Sequence, residues 1–305
     1  MAAPRPVAPS PAQHTKSHGL MVIYAALVST SFPVGAFATR SMDPVAITFL
    51  RFALASALFG AILAHRGQLR RVGLRDLARY SVVSASIVIF FVLMFEALRH
   101  TDPVNTSALF TLVPLGSAGV AAVLLKQRTR LAVLACLVTG ALGAAWVVFD
   151  GELSGALAMR LDRGERTFLL ATVVFAAYVP LIKRLHRGEP ALVMTFWTLA
   201  TGTVLLGTLG APRMLATSWT ADPATYAAVA YLAIFPTAIT FAIAQYVSVR
   251  LSAEGVLAYT YLTPSFVVLL EGLRGKGWPS ASVFAGVAVT LCVTVLLQRL
   301  GRSTA

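Results

Sequence analysis

Residues 103–149 read PVNTSALFTLVPLGSAGVAAVLLKQRTRLAVLACLVTGALGAAWVVF. Two uncharged apolar runs, 103–125 and 131–149, flank a linker that carries Lys126, Arg128 and Arg130. Each run can cross a bilayer as a helix, for which about 20 apolar residues suffice. The runs are continuous and do not alternate residue by residue. Helices rather than barrel strands therefore satisfy their backbone N–H and C=O groups in lipid. Working outward, the same pattern recurs, and spans are expected at 19–38, 44–64, 78–99, 103–125, 131–149, 166–185, 190–210, 223–246, 252–272 and 279–299.

Composition agrees. Of 305 residues, 57% are hydrophobic and 12% charged, with a mean hydropathy of +0.78. A soluble domain of this length cannot bury so much apolar surface in its own core, so lipid is part of the solvent. The net charge of +13 would suit a polyanion, but the arginines sit in short clusters between spans, where they face anionic headgroups; no nucleic-acid partner is expected. The lysines and arginines favour one side by about two to one, which puts both termini in the cytoplasm and makes the number of spans even. Residues 1–18, rich in Pro and Ala, read as a disordered cytoplasmic tail. Ala36-Phe37-Ala38 loosely resembles a signal-peptidase site, but a full span precedes it and more follow. Cys136 and Cys292 lie within spans and suggest neither a disulfide framework nor a metal site.

The chain repeats itself. A shift of 150 positions lays Pro114 on Pro264 and Lys126 on Lys276, and lays Ala132, Cys136, Gly140 and Ala144 on Ser282, Gly286, Thr290 and Thr294. Asp43-Pro44 matches Glu189-Pro190 at a slightly different offset. The expected fold is an all-α integral membrane protein of ten transmembrane helices. They form two five-helix repeats, 19–149 and 166–300, joined by a periplasmic loop at 150–165. Five is odd, so the second repeat is inverted.

The small residues at every fourth position suit close helix packing, because helices in lipid gain from tight backbone approach. Pro33, Pro114, Pro180, Pro236 and Pro264 fall within spans and are expected to loosen them where a central pathway and its gating run. Arg51 is the basic residue deepest in a span; it should face the interior and find a partner. At 1.5 Å per residue it lies about 10 Å from the outer end of its helix, and Glu96 about 6 Å from the end of the next. The two are expected to approach each other as an outer polar lock or an anchor for a substrate carboxylate. Phe91, Phe95, Tyr178, Trp197, Phe241 and Tyr259, with Thr237, Gln245 and Thr263, gather at similar depths. Aromatic walls with a few hydrogen-bonding groups suit a small amphipathic solute.

Absent motifs narrow the field. There is no GxxxxGK[ST] for nucleotide phosphates and no HExxH for a membrane metalloprotease. Lys16, Lys126, Lys183 and Lys276 all stand away from the midplane, and Asp and Glu avoid mid-span positions, so a carboxylate proton relay is poorly supported. A lipid-modifying enzyme would need a nucleophile, acid/base pair or metal cluster at interface depth, and none is found. No enzyme activity, cofactor or resident metal is expected.

Phe95–Pro114 (FEALRHTDPVNTSALFTLVP), Arg51-Phe52 and Tyr246–Pro264 (YVSVRLSAEGVLAYTYLTP) resemble the EamA domains of the drug/metabolite transporter superfamily. The resemblance extends from about residue 20 to about residue 300. It implies two inverted EamA repeats in a bacterial inner membrane and export of metabolites or xenobiotics by alternating access, as a monomer or homodimer among membrane lipid. The aromatic-rich spans are similar to the YddG-type exporters of aromatic amino acids, which makes those the leading substrate and lipophilic cationic drugs the second. Where the family places Gly-Glu after the fourth and ninth helices, this chain has Lys126-Gln127 and Gly275-Lys276. Any part that glutamate plays in closing a gate or loop is filled otherwise here, or is absent.

Overall fold

The structure is a computed structural model that describes residues 11–69, 71–126, 129–149, 161–216, 219–248, 256, 258–278 and 280–302. Among the described residues the regular structure is helical throughout, with no strand. Eight helical segments are long and apolar enough to cross a membrane, and Val283–Leu297 is a shorter apolar one.

In the first half the helices are α1 (Pro11–Ala38), α2 (Pro44–His65), α3 (Leu74–Ala97), α4 (Pro103–Phe110), α5 (Val113–Leu124) and α6 (Leu131–Val148). The second half contains α7 (Arg163–Ala176), α8 (Tyr178–Leu185), α9 (Ala191–Leu209), the short α10 (Ala211–Ala216), α11 (Pro223–Ala233), α12 (Thr240–Ser248), α13 (Thr263–Leu273) and α14 (Val283–Arg302). A π-helical turn, Ile234–Ile239, joins α11 to α12, and a 3₁₀ turn, Tyr259–Leu262, leads into α13.

Two expectations change. Helix α1 begins at Pro11, so residues 11–18 are helical and not a disordered tail. A proline suits a first turn, whose N–H groups have no intrahelical acceptor, and the extension is held against the second half by His18 Nδ1 at 2.6 Å from Tyr259 Oη and Lys16 5.6 Å from the Tyr246 ring centre. Several expected spans are also interrupted rather than continuous, and the breaks track the prolines. The run 103–125 divides at Thr111-Leu112 before Pro114, 166–185 divides at Ala177 before Pro180, and 223–246 widens around Pro236. Each proline lacks the N–H that would close the preceding turn. Pro33 alone sits within an unbroken helix. Residues 150–160 of the expected periplasmic loop, and 252–255 of the expected ninth span, lie outside the described residues.

Packing interleaves the halves. Helix α1 packs on α11, α12 and α13; α2 and α3 pack on α9; α3 also packs on α7; and α6 lies along α14. In the last pair, an added Cβ at Gly286 would come within 2.7 Å of the Gly143 carbonyl oxygen. The small-residue stripes thus serve close packing, and Trp146 Nε1 donates to the Ser282 carbonyl at 3.1 Å across the same seam. Leu142, Val173, Val204 and Phe284 point outward from their spans and are exposed; the medium that covers them is lipid, and the protein is a multi-pass membrane protein.

The linkers after α5 and α13 differ in a telling way. Lys126 adopts φ 55° where Gly275 adopts φ 83°. Both linkers turn through the left-handed region, and only the second assigns it to glycine, the residue that enters it without strain. Lys276 then pairs with Glu271 at 2.8 Å and Asp102 at 3.1 Å.

Candidate functional site

A cavity of about 420 Å³ lies between the halves. Phe90, Phe91 and Met94 of α3, Phe175 of α7, Tyr178 of α8 and Phe241 of α12 give it largely aromatic walls. The aromatic side is continuous: Phe90 stacks on Phe175 with centroids 4.3 Å apart, and Phe175 stacks on Tyr178 at 5.5 Å. Thr195, Thr198 and Thr240 supply hydroxyls, and His186 and Ala191 mark one end of the cavity. No aspartate or glutamate lines it among the described residues.

Arg51 projects from α2 to the cavity wall with 1% of its surface exposed. Its Nε donates to Thr237 Oγ1 at 2.6 Å and its Nη2 to the Pro236 carbonyl at 3.2 Å. The cause is local. Pro236 cannot donate to Leu232, four residues back, and the Leu232 carbonyl accepts the Thr237 hydroxyl at 2.8 Å instead. The widened turn presents the Pro236 carbonyl and the Thr237 oxygen to the guanidinium. The Phe91 ring centre lies 4.0 Å from Arg51 Cζ and that of Phe95 6.0 Å, so two aromatic faces cover the charge. Nη1 has no hydrogen-bond partner.

The expected Arg51–Glu96 lock does not form. Arg51 is drawn to the groups freed at Pro236, whereas Glu96 lies at the end of α3 within reach of Arg99, His100, Arg163 and Arg213 at 3.5 to 3.9 Å. Glu96 belongs to a band of ion pairs along one face of the layer. Arg213 also holds Asp43 at 2.7 Å, Thr101 donates to Glu165, and Lys276 joins Asp102 to Glu271. Hydrogen bonding to Glu271 raises the affinity of Lys276 for its proton. None of the band's residues lines the cavity, whereas His186, toward the other end of the layer, does.

On that opposite face Arg79 of α3 is 7% exposed and ties the halves together. It reaches Glu189 at 2.8 Å, Asp76 at 3.2 Å and the Leu185 carbonyl at 2.5 Å. Partial burial works against charge on Glu189, but backbone N–H donation from the Arg187 region, the Arg79 guanidinium and His186 hold its carboxyl below the usual range.

Of the aromatic and polar residues singled out in the sequence, Phe91, Tyr178 and Phe241 reach the cavity wall. Phe95 is buried behind Phe91, 6.2 Å away between ring centres, and Thr237 acts through Arg51. Trp197 packs instead against Tyr80, Val83 and Met194. Tyr259 joins His18, Met21 and Ala25, and Thr263 is buried with its carbonyl accepting from Ser29 at 3.3 Å. The side chain of Gln245 lies outside the described residues. Sequence reading missed Phe90, Phe110 and Phe175. Phe175 and Tyr178 stand three apart and so share a helix face, a signal that was present in the sequence.

These features define a multi-pass helical membrane protein with a solute-sized compartment between two structurally interleaved halves. The chain belongs to the EamA-like transporter family, which matches it twice, at residues 15–149 and 163–299, and it is a transporter. Among relatives, an uncharacterized transporter of Archaeoglobus fulgidus is 24% identical over 84% of this chain and 88% of its own length. A probable terminal-alkyne amino-acid exporter of Streptantibioticus cattleyicolor is 26% identical over 94% and 96%. A solved crystal structure shares the fold with a TM-score of 0.69 at 21% identity, over 93% of this chain and 98% of that one.

Proposed function

We propose that this chain is a secondary transporter of the bacterial inner membrane that exports small amphipathic metabolites, foremost aromatic amino acids, by alternating access. It has ten spans in two inverted five-helix repeats, with both termini in the cytoplasm. The segment Tyr259–Leu273 and helix α14 supply the ninth and tenth spans, and five spans per repeat reverse the second. The positive bias of the linkers assigns the Arg79–Glu189 face to the cytoplasm. The cavity then faces inward with the Glu96 band closed, the loading state of an exporter.

The observation that carries this reading is the aromatic-walled cavity between the repeats, whose 420 Å³ lies within the range typical of small-molecule sites. The name of the Streptantibioticus relative supports amino acids as the solute class. Counterflow into proteoliposomes tests it: vesicles preloaded with unlabelled tryptophan should accumulate labelled tryptophan, and empty vesicles should not. Equal uptake with and without preload, from folded protein, would sink the proposal.

A further inference from the structure

A buried arginine without a carboxylate is costly in a membrane, because its guanidinium stays protonated at any working pH and the surrounding dielectric is low. Arg51 offsets part of that cost through Thr237, the Pro236 carbonyl and two aromatic faces. All of those partners are neutral. Among the described residues no carboxylate pairs with it, and none lines the cavity. Nη1, with two N–H donors, remains without an acceptor. Arg51 therefore brings to the site a positive charge without a carboxylate counter-charge in the lining, and an unused donor beside a run of aromatic rings.

We propose that the cavity recognises aryl carboxylates through Arg51, with the carboxylate accepting from Nη1 and the aryl group lying along Phe90, Phe175 and Tyr178. The inference deepens the transport reading above and rests on it. It assigns recognition to the anionic end of the solute and excludes lipophilic cations, because the lining offers a cationic group no counter-charge and Arg51 repels it. The zwitterion of an aromatic amino acid is accepted through its carboxylate. A solute that keeps the aryl group and carboxylate but lacks the ammonium group is accepted at least as well. Phe91, 4.0 Å from Arg51 Cζ, covers the guanidinium and yields to the incoming carboxylate by rotating its ring.

The test uses three indole ligands that differ in charge: 3-indolepropionate, tryptophan and tryptamine. Binding of each to the full chain in nanodiscs is measured by titration calorimetry. A charged hydrogen bond is worth enough to favour 3-indolepropionate over tryptamine by at least about tenfold in wild type. In Arg51→Gln that preference should shrink to within about twofold, and Arg51→Lys should restore part of it. A purely structural Arg51 would weaken all three ligands together and leave their ratio unchanged, and that result overturns the assignment. Tryptamine binding as tightly as 3-indolepropionate in wild type overturns it without any variant, so a failure of Arg51→Gln to fold does not protect the proposal. Those outcomes leave the transport reading standing. If none of the three ligands binds folded wild-type protein, the aromatic-solute reading itself falls and takes this inference with it.

Discussion

Arg79 and Arg51 sit on neighbouring helices of the first half and are almost equally buried, yet their surroundings meet the cost of a buried cation in opposite ways. Arg79 is surrounded by Glu189, Asp76 and the Leu185 carbonyl. Its charge is neutralised by carboxylates: Nη1 reaches Glu189 and the Leu185 carbonyl on the other half, Nη2 reaches Asp76 and Tyr80 on its own helix, and Nε has no hydrogen-bond partner. Arg51 also has one nitrogen without a hydrogen-bond partner, but all the partners it does have are neutral. A neutralised cation fastens two elements. A cation left net positive beside a cavity fastens an element and keeps its charge available to something that enters. The difference separates a structural tie from the binding group proposed above, although both residues look the same in the sequence as arginines at or within apolar spans.

The comparison breaks most visibly at Glu189. Glu189→Ala leaves Arg79 buried with only the half-exposed Asp76 as counter-charge, and losing one partner of a buried pair costs about 3–5 kcal/mol. The thermal midpoint of the detergent-solubilised protein should fall sharply. The joint change Arg79→Met with Glu189→Leu removes both charges and should recover most of the loss. A single Glu189→Ala that melts like wild type would show that the tie contributes nothing.

At Arg51 the corresponding cut is smaller, because no counter-charge is removed. Thr237→Val keeps the side-chain shape but strands Arg51 Nε and the Leu232 carbonyl, at about 1–3 kcal/mol. Thr237→Ser retains the hydroxyl and should melt close to wild type; equal melting of Val and Ser variants would refute the buttress. Smaller again is Phe91→Leu, which removes one aromatic face from the guanidinium, worth about 0.5–2 kcal/mol. Its melting loss should disappear in an Arg51→Gln background, and a loss that persists there belongs to packing instead.

The sequence made the spans legible because an uncharged run of membrane length has few alternatives, and it made the interruptions half-legible. Pro114, Pro180 and Pro236 announced weak points, but whether a proline breaks a helix depends on what accepts the freed carbonyls. Pro33, in the unbroken α1, shows that. Depth along a helix is readable from residue counts, and Arg51 was correctly placed in the interior. Its partner was not readable. Depth alone favours Glu96, while the partners arise from a π-helical turn in the other half that no periodicity announces. Tyr259 and Trp197 were misjudged for a related reason. Depth and residue type are the same for a cavity wall and for a packed seam, and only the rotation of each helix separates them. The helical extension to Pro11 was hidden because a proline- and alanine-rich leader carries no apolar pattern, and its anchor, Tyr259, lies at the far end of the chain.

The subtlest difference between the two arginines is in their response to acid. Glu189 has a carboxyl held below the usual range, despite its partial burial, by backbone N–H groups, Arg79 and His186. A carboxylate whose folded pKa is depressed contributes stability that is fully present above its unfolded pKa and is lost as pH falls through the folded value. The Arg79 tie should therefore hold unchanged from pH 7 to pH 5 and weaken only below about pH 4.3, the ordinary glutamate value. Other carboxylates titrate in the same window, so the informative quantity is the gap in thermal midpoint between wild type and Glu189→Gln. That gap should be constant down to pH 5 and narrow below it. A gap that closes between pH 7 and pH 5 would place the Glu189 carboxyl above the usual range and make burial, not its donors, the dominant influence. Among the described residues no carboxylate pairs with Arg51, so the gap between wild type and Thr237→Val should stay flat across the whole range.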